Sequence, residues 1–186
     1  MSDTVRRVIT AQAEDGRGIF AFDEEVEPIV IGPIGIDGKG SHSGHQLWQL
    51  WGADGIPQLP SDAQEGWLDT NFAPLGGYRV QVCEFPAEGA EPREPRGAWP
   101  TTGTPVTRVE PGMHYTDSVD LMIVLEGEIG LEQDDGIEVT LRAGDVLVQN
   151  GAAHAWKKRS VPCRICMIAL GAERHDGNEN EKSENI

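Results

Sequence analysis

The chain has 186 residues, enough for one domain with a sizeable core and too few for two ordinary ones. Its formal net charge of −16 repels DNA, RNA and anionic lipid surfaces, which excludes those partners; solubility accounts for the acidity. No run approaches the length of a membrane span and the opening MSDTVRRVIT has no apolar signal region, so a cytoplasmic protein with no membrane partner is expected.

Residues 1–77 read as short strand-like pieces, VRRVIT, GIFAF and PIVIG, separated by glycine-rich joints such as GPIGIDGKG. The aromatic patch GHQLWQLWG follows, and its Trp48 and Trp51 call for burial against the main body or a second subunit. This segment is expected to pack on the main domain as extra strands and an arm. Residues 78–170 are densely strand-like: YRVQVCEF alternates, LMIVLEGEIGLEQ is apolar and then mixed, and DGIEVTLRAGDVLVQNGAAHAW is broken by turns. Asp135-Gly136 predicts a two-residue hairpin, because glycine tolerates positive φ, and RAGD predicts another tight turn. The Pro- and Gly-rich residues 86–105 predict a long loop, either floppy or lid-like. Short strands at a spacing of roughly eight to twelve residues, with no internal repeat, predict a single all-β sandwich or barrel. Residues 171–186 have no apolar periodicity and are expected to form a disordered acidic tail.

Three cysteines, Cys83, Cys163 and Cys166, do not make a disulfide framework, because the count is odd. The last two, in VPCRICMIAL, have the spacing of a redox or zinc motif. An offset of three along a strand puts their sulfurs on opposite faces, so they read as core and strand cysteines, with metal binding the second reading.

Of the five histidines, His175 falls in the expected tail. His114 precedes an apolar strand, and His154 opens another after QNGAAH. The two hairpin strands between them can bring both imidazoles to one end of a barrel. His114, Thr116 and Asp120 share parity, so an extended stretch points them the same way. Two neutral imidazoles and one carboxylate make a three-ligand face that leaves the rest of an octahedron open for water, substrate or dioxygen. On spacing alone the alternative stands beside it: two histidines at strand ends that are simply polar groups near a surface. Tyr115 and Asp117 alternate with the set and are expected to face away. His45 would reach a metal only if the N-terminal arm folded over the barrel mouth; bonding to backbone groups is its plainer role. Trp156 shares the parity of His154 and reads as a pocket wall or as core packing.

These stretches resemble the two signature motifs of the cupin superfamily. The first is, in outline, His-x-His, a Glu a few residues on, and a glycine closing the next strand; MHYTDSVDLMIVLEGE matches it at His114, at Asp120 in the Glu position and at Gly127. The second runs Pro-Gly-Asp, then Pro-x-Gly and a His; RAGDVLVQNGAAH matches it at Gly144, Asp145, Gly151 and His154. Thr116 stands where the second His would be, Asp120 replaces Glu, Ala143 replaces one Pro and Gln149 the other. The chain is most similar to a subset of small bacterial cupins with a His-x-Thr-Asp first motif. The resemblance implies a single cupin (jelly-roll) β-barrel over residues 78–170, with the N-terminal strands and arm added to it.

It also implies one divalent transition metal ion, iron first and zinc, nickel or manganese after it, held by His114, Asp120 and His154. Thr116 is expected to orient a metal-bound water, and Gln149 either to hydrogen-bond a substrate or that water or to stabilise the turn before His154. The expected activity is dioxygenase-type chemistry on an oxygenated small molecule. The alternatives are a zinc- or nickel-dependent lyase, isomerase, dehydratase or polyketide-type cyclase, and a cupin that binds a small ligand without turnover. A homodimer is expected, because the aromatic arm and unpaired strand edges need covering.

Overall fold

The computed structural model describes residues 4–31, 44–63, 72–97, 107–110 and 112–175, and only the backbone at Ile31 and at 108–110. His42, residues 98–105 of the 86–105 loop and residues 176–186 lie outside the described residues. The described chain is all strand. In order these are β1 (Val5–Gln12), β2 (Gly18–Val26), β3 (Ile29–Ile31), β4 (His45–Ala53), β5 (Tyr78–Phe85), β6 (Thr107–Glu110), β7 (Met113–Tyr115), β8 (Ser118–Glu126), β9 (Glu128–Gln133), β10 (Glu138–Arg142), β11 (Val146–Asn150), β12 (His154–Lys157) and β13 (Cys163–Gly171). No helix among the described residues is long and apolar enough to cross a membrane.

Strands β5 to β13 fold into two antiparallel sheets. The smaller has the order β10-β9-β12-β7-β6, and the larger, which β4 and β3 extend, β11-β8-β13-β5-β4-β3. Alternation decides which side chains meet between them. On β8, Ser118, Asp120, Met122 and Val124 point inward and are buried, while Leu121, Ile123 and Leu125 point outward. Phe85, Met122, Val124, Cys163 and Ile165 of the larger sheet pack against Ile129 of the smaller, with Leu141 and Trp156 closing the cluster. Cys163 lies in this core and Cys166 on the opposite face of β13, as the offset of three requires.

The aromatic patch is a sheet strand. β4 pairs antiparallel with β5, and a bulge between Gln49 and Trp51 sets Trp48 and Trp51 beside Val82 and Val80. Trp48 is fully buried, with the Arg164 guanidinium 4.9 Å from its ring centroid. The true arm is the β1–β2 ribbon, a sheet of its own that touches the body where Arg7 Nη1 donates to the Leu50 carbonyl at 2.8 Å.

Residues 86–97 of the long loop are fastened rather than free. Arg93 donates to buried Glu84 at 2.7 Å and to the Gly44 carbonyl at 3.2 Å, and the backbone of Arg96 bridges Val30. Glu84 also accepts from Arg164 at 2.9 Å, so this buried carboxylate has two cationic partners. The β9–β10 turn is one residue longer than a two-residue hairpin. Gly136 N donates to Gln133 O, Gln133 N to Ile137 O, and Asp135 Oδ1 accepts from Ile137 N, so Asp134 and Asp135 make the turn and Gly136, at φ 77°, follows it.

The expected tail starts later than residue 171. Gly171 ends β13, and a Cβ on it would fall 1.9 Å from the Pro74 carbonyl oxygen; Ala172 N donates to Asp117 O at 2.9 Å. The backbone there is packed and hydrogen-bonded, which composition alone does not reveal.

Candidate functional site

His114 on β7 and His154 on β12 are directly opposite each other in the antiparallel ladder. Their ring centroids lie 4.5 Å apart with the planes inclined at 51°. His154 is buried. Its Nδ1 stands 2.9 Å from the Ala152 carbonyl oxygen, and the tautomer that satisfies this contact carries the proton on Nδ1 and leaves Nε2 bare. Burial lowers the pKa of His154; the Ala152 carbonyl works against that shift without reversing it. The imidazole is therefore held neutral, with a lone pair on Nε2.

Gln149 supports the same carbonyl. Its Nε2 donates to Ala152 O at 2.7 Å and lies 3.1 Å from His154 Nδ1. The amide thus braces the turn that carries His154. Across the larger sheet Gln149 is in register with Asp120 on β8. Asp120 is buried and its Oδ1 has no hydrogen-bond partner. Burial raises its pKa, and the Ser118 hydroxyl partly opposes the rise. Ser118 Oγ in turn lies 2.8 Å from Thr116 Oγ1, and both hydroxyls are buried.

From Thr116 onward the burial follows the strand alternation. Thr116, Ser118 and Asp120 face the interior, and Tyr115 and Asp117 face away, where both meet Arg174. His45 points into the same interior but is separated from the pair by aromatic rings: His45 to Phe85 is 4.6 Å, Phe85 to Trp156 5.4 Å and Trp156 to His154 5.6 Å between centroids. Trp156 therefore serves as both core packing and a wall beside His154. Ser118 was not singled out from sequence, although it shares the parity of His114, Thr116 and Asp120. Arg174 carried no local signal.

The structure brings the two imidazoles together and places Asp120 and Gln149 on the facing sheet. Among the described residues no group of three His, Cys, Asp or Glu side chains is gathered closely enough to hold a metal ion.

No family model matches the chain. Among curated proteins, phomopsin biosynthesis cluster protein C′ of Diaporthe leptostromiformis is 46% identical over 74 residues, 37% of this chain and 39% of that protein. Oryzines biosynthesis cluster protein J of Aspergillus oryzae is 38% identical over 79 residues, 41% of this chain and 44% of that protein. A cupin-domain-containing oxidoreductase of Hypocrea virens is 39% identical over 62 residues, 31% of this chain and 32% of that protein. The two facing antiparallel sheets, the two motifs that meet at His114 and His154, and this last likeness agree.

The described strands form an all-β barrel of two facing antiparallel sheets, and part of the chain is similar to a cupin-domain protein. The matched stretch spans less than half the length of each of these curated relatives. Solved cupin structures overlap the barrel loosely: a cupin superfamily protein from Desulfitobacterium hafniense at TM-score 0.35 and 15% identity, over 50% of this chain and 67% of that one. The polyketide cyclase RemF from Streptomyces resistomycificus overlaps at TM-score 0.42 and 16% identity, over 77% of this chain and 72% of that one. In this barrel the first motif supplies β7 and β8, the second supplies β11 and β12, and the histidines sit where the smaller sheet joins them.

Proposed function

We propose that this chain is a cupin enzyme of small-molecule metabolism that acts on an oxygenated substrate by oxidative chemistry at a divalent metal, iron first. Its ligands in this reading are His114, His154 and Asp120. The observation that carries the reading is the histidine pair: two imidazoles 4.5 Å apart, one of them buried, neutral and oriented by a carbonyl on its Nδ1. An imidazole whose far nitrogen is tied to a backbone carbonyl is the usual state of a metal-ligating histidine. The buried Asp120 Oδ1, which has no hydrogen-bond partner, has the chemistry of a third donor, and the structure does not gather it with the two histidines into a closed site. When bound, the ion would supply Lewis acidity and redox capacity. The chain itself supplies a dry wall in Trp156, an amide brace in Gln149 and a buried hydroxyl pair in Thr116 and Ser118. The names of the matched relatives, two from biosynthesis clusters and one an oxidoreductase, point the same way. The same reading places the protein in the cytoplasm, where its free thiols persist.

A second reading has its own support. Gln149 Nε2 lies 3.1 Å from His154 Nδ1 and Gln149 is in register with Asp120, and burial favours the neutral form of both the imidazole and the carboxyl group, the forms of a base and an acid. That pairing suits a lyase, isomerase, dehydratase or cyclase that moves protons without changing oxidation state.

Metal analysis separates the first reading from a metal-free form of the second, and the identity of the ion that restores turnover separates iron chemistry from a zinc- or nickel-dependent lyase or cyclase. Wild type, His154→Ala and Asp117→Asn are purified and reconstituted in parallel with iron, zinc, nickel and manganese. The first reading expects about one ion per chain in wild type, most of it lost in His154→Ala and retained in Asp117→Asn. Equal content in wild type and His154→Ala overturns it and leaves the proton-transfer or ligand-binding reading.

A further inference from the structure

We infer that Arg174 is a positioning residue: its guanidinium fastens the loop that follows His114 to the turn that precedes His154, and so sets the spacing of the two imidazoles. The ladder between the histidine strands is minimal. β7 and β12 are paired at one position, His154 opposite His114, whereas β12 makes four pairs with β9 and β7 makes three with β6. Each histidine strand is thus anchored on its outer side and barely joined to the other. The motifs are joined on the larger sheet, where β8 and β11 pair over five positions up to Asn150 opposite Val119; the loop after His114 and the turn before His154 lie beyond that ladder, and their spacing needs a further tie.

Arg174 is placed to supply it. Its Nη2 donates to the Thr116 carbonyl at 3.1 Å and to the Gly151 carbonyl at 2.9 Å, one acceptor from each motif. Its Nε donates to Asp117 Oδ1 at 2.5 Å, and the guanidinium carbon lies 4.1 Å from the centroid of the Tyr115 ring. The backbone two residues earlier joins in, with Ala172 N donating to Asp117 O at 2.9 Å. Thr116 is two residues after His114, and Gly151 three before His154, so the clamp closes within one turn of chain from either ring. Gly151 is fitted to the arrangement. Its φ is 63°, and a Cβ there would lie 3.0 Å from Arg174 Nη2 and 3.3 Å from the Thr116 carbonyl oxygen. A side chain at 151 would wedge the two loops apart.

The ion pair with Asp117 is about one-third exposed on both sides and contributes little to stability by itself. The two carbonyl bonds carry the geometry. A planar guanidinium can serve several acceptors in one plane while stacking on a ring, and a lysine ammonium cannot reproduce that fork. Asp117 and Tyr115 both meet Arg174, which explains an acidic and an aromatic residue at these positions: they seat the clamp.

The effect on an ion rests on the metal reading above; the effect on ring spacing does not. The test therefore uses the full chain with two readouts. One is affinity for Co²⁺ alone, followed by its visible absorption. The other is the nuclear Overhauser contact between the His114 and His154 rings in the metal-free protein. Arg174→Ala is expected to weaken or abolish the inter-ring contact and to lower Co²⁺ affinity by about 10-fold, the usual scale for loss of an outer-shell partner. Arg174→Lys is expected to follow Ala, not wild type, and it decides the matter if the Ala variant does not fold. Arg6→Ala, which removes an exposed guanidinium paired with Asp23 on the β1–β2 ribbon, is expected to change neither readout. An unchanged inter-ring contact in Arg174→Ala and Arg174→Lys overturns the proposal, whatever the metal result. Failure of wild type to bind Co²⁺ instead removes the metal reading and leaves the ring contact to judge the clamp.

Discussion

Burial acts on the ionisable side chains of this barrel in opposite directions, according to which form carries charge. It pushes His154 down and Asp120 up, and it raises the Cys83 and Cys163 thiols to about 12. A thiol at that value carries ~10³-fold less thiolate at pH 8 than an ordinary cysteine. Native protein is therefore expected to react with a disulfide reagent at Cys83 and Cys163 only on the time scale of unfolding, and at all three cysteines promptly in guanidinium. Fast labelling of Cys163 in the native state would contradict its place in the core. This was legible in VPCRICMIAL, because strand parity separates the two sulfurs without any tertiary information. The histidine pair was legible for a different reason: motif order and spacing specify two strands and the hairpin between them. Arg174 was not legible, because its acceptors are backbone carbonyls far away in sequence, and a carbonyl leaves no mark in residue identity.

Among the elements, the β8–β9 junction shows how one glycine sets a strand exchange. Gly127 lies between β8 and β9 at φ 72°, and a Cβ there would fall 1.8 Å from the Pro162 carbonyl oxygen. Gly89 has nearly the same φ, 71°, with nothing within 4 Å of its Cβ position. The pair separates backbone strain from collision. Gly89→Ala is expected to cost about 1 kcal/mol from the left-handed conformation alone. Gly127→Ala is expected to cost a further ~1–3 kcal/mol, because the chain before Cys163 must move. Equilibrium denaturation of both variants checks this, and equal losses would mean the junction has room. The glycine was recognisable from its motif position; the reason for it, a carbonyl from the start of β13, was not. The same limit applies to β4. HQLWQLWG shows an aromatic segment that needs burial, but its pairing with β5 is a long-range choice that local pattern leaves open.

At the scale of the whole molecule the larger sheet ends on β11, and its outer face is apolar. Val146 and Val148 are 65% and 51% exposed, and in register beside them Ile123 and Leu121 of β8 are exposed as well. Protected sheet edges usually carry lysine, proline or a bulge; VLVQN has none of these and no charge. We propose a second copy of this chain as the partner of that edge. An antiparallel strand can pair with itself about a two-fold axis, so one uncharged strand supplies both halves of an isologous contact. Two chains of net charge −16 repel over most of their surfaces, and this edge is where they can meet without bringing like charges together. Val148→Lys puts a like charge on both sides of the axis and leaves the inward Leu147 and Gln149 in place. The expected outcome is a mass near 40 kDa, twice the 20.2 kDa chain, for wild type at micromolar concentration, and a monomer for Val148→Lys with unchanged circular dichroism. A monomeric wild type by light scattering would show that the edge stays solvated. A dimer that survives Val148→Lys would move the contact to the β1–β2 ribbon, whose Phe20 is also exposed.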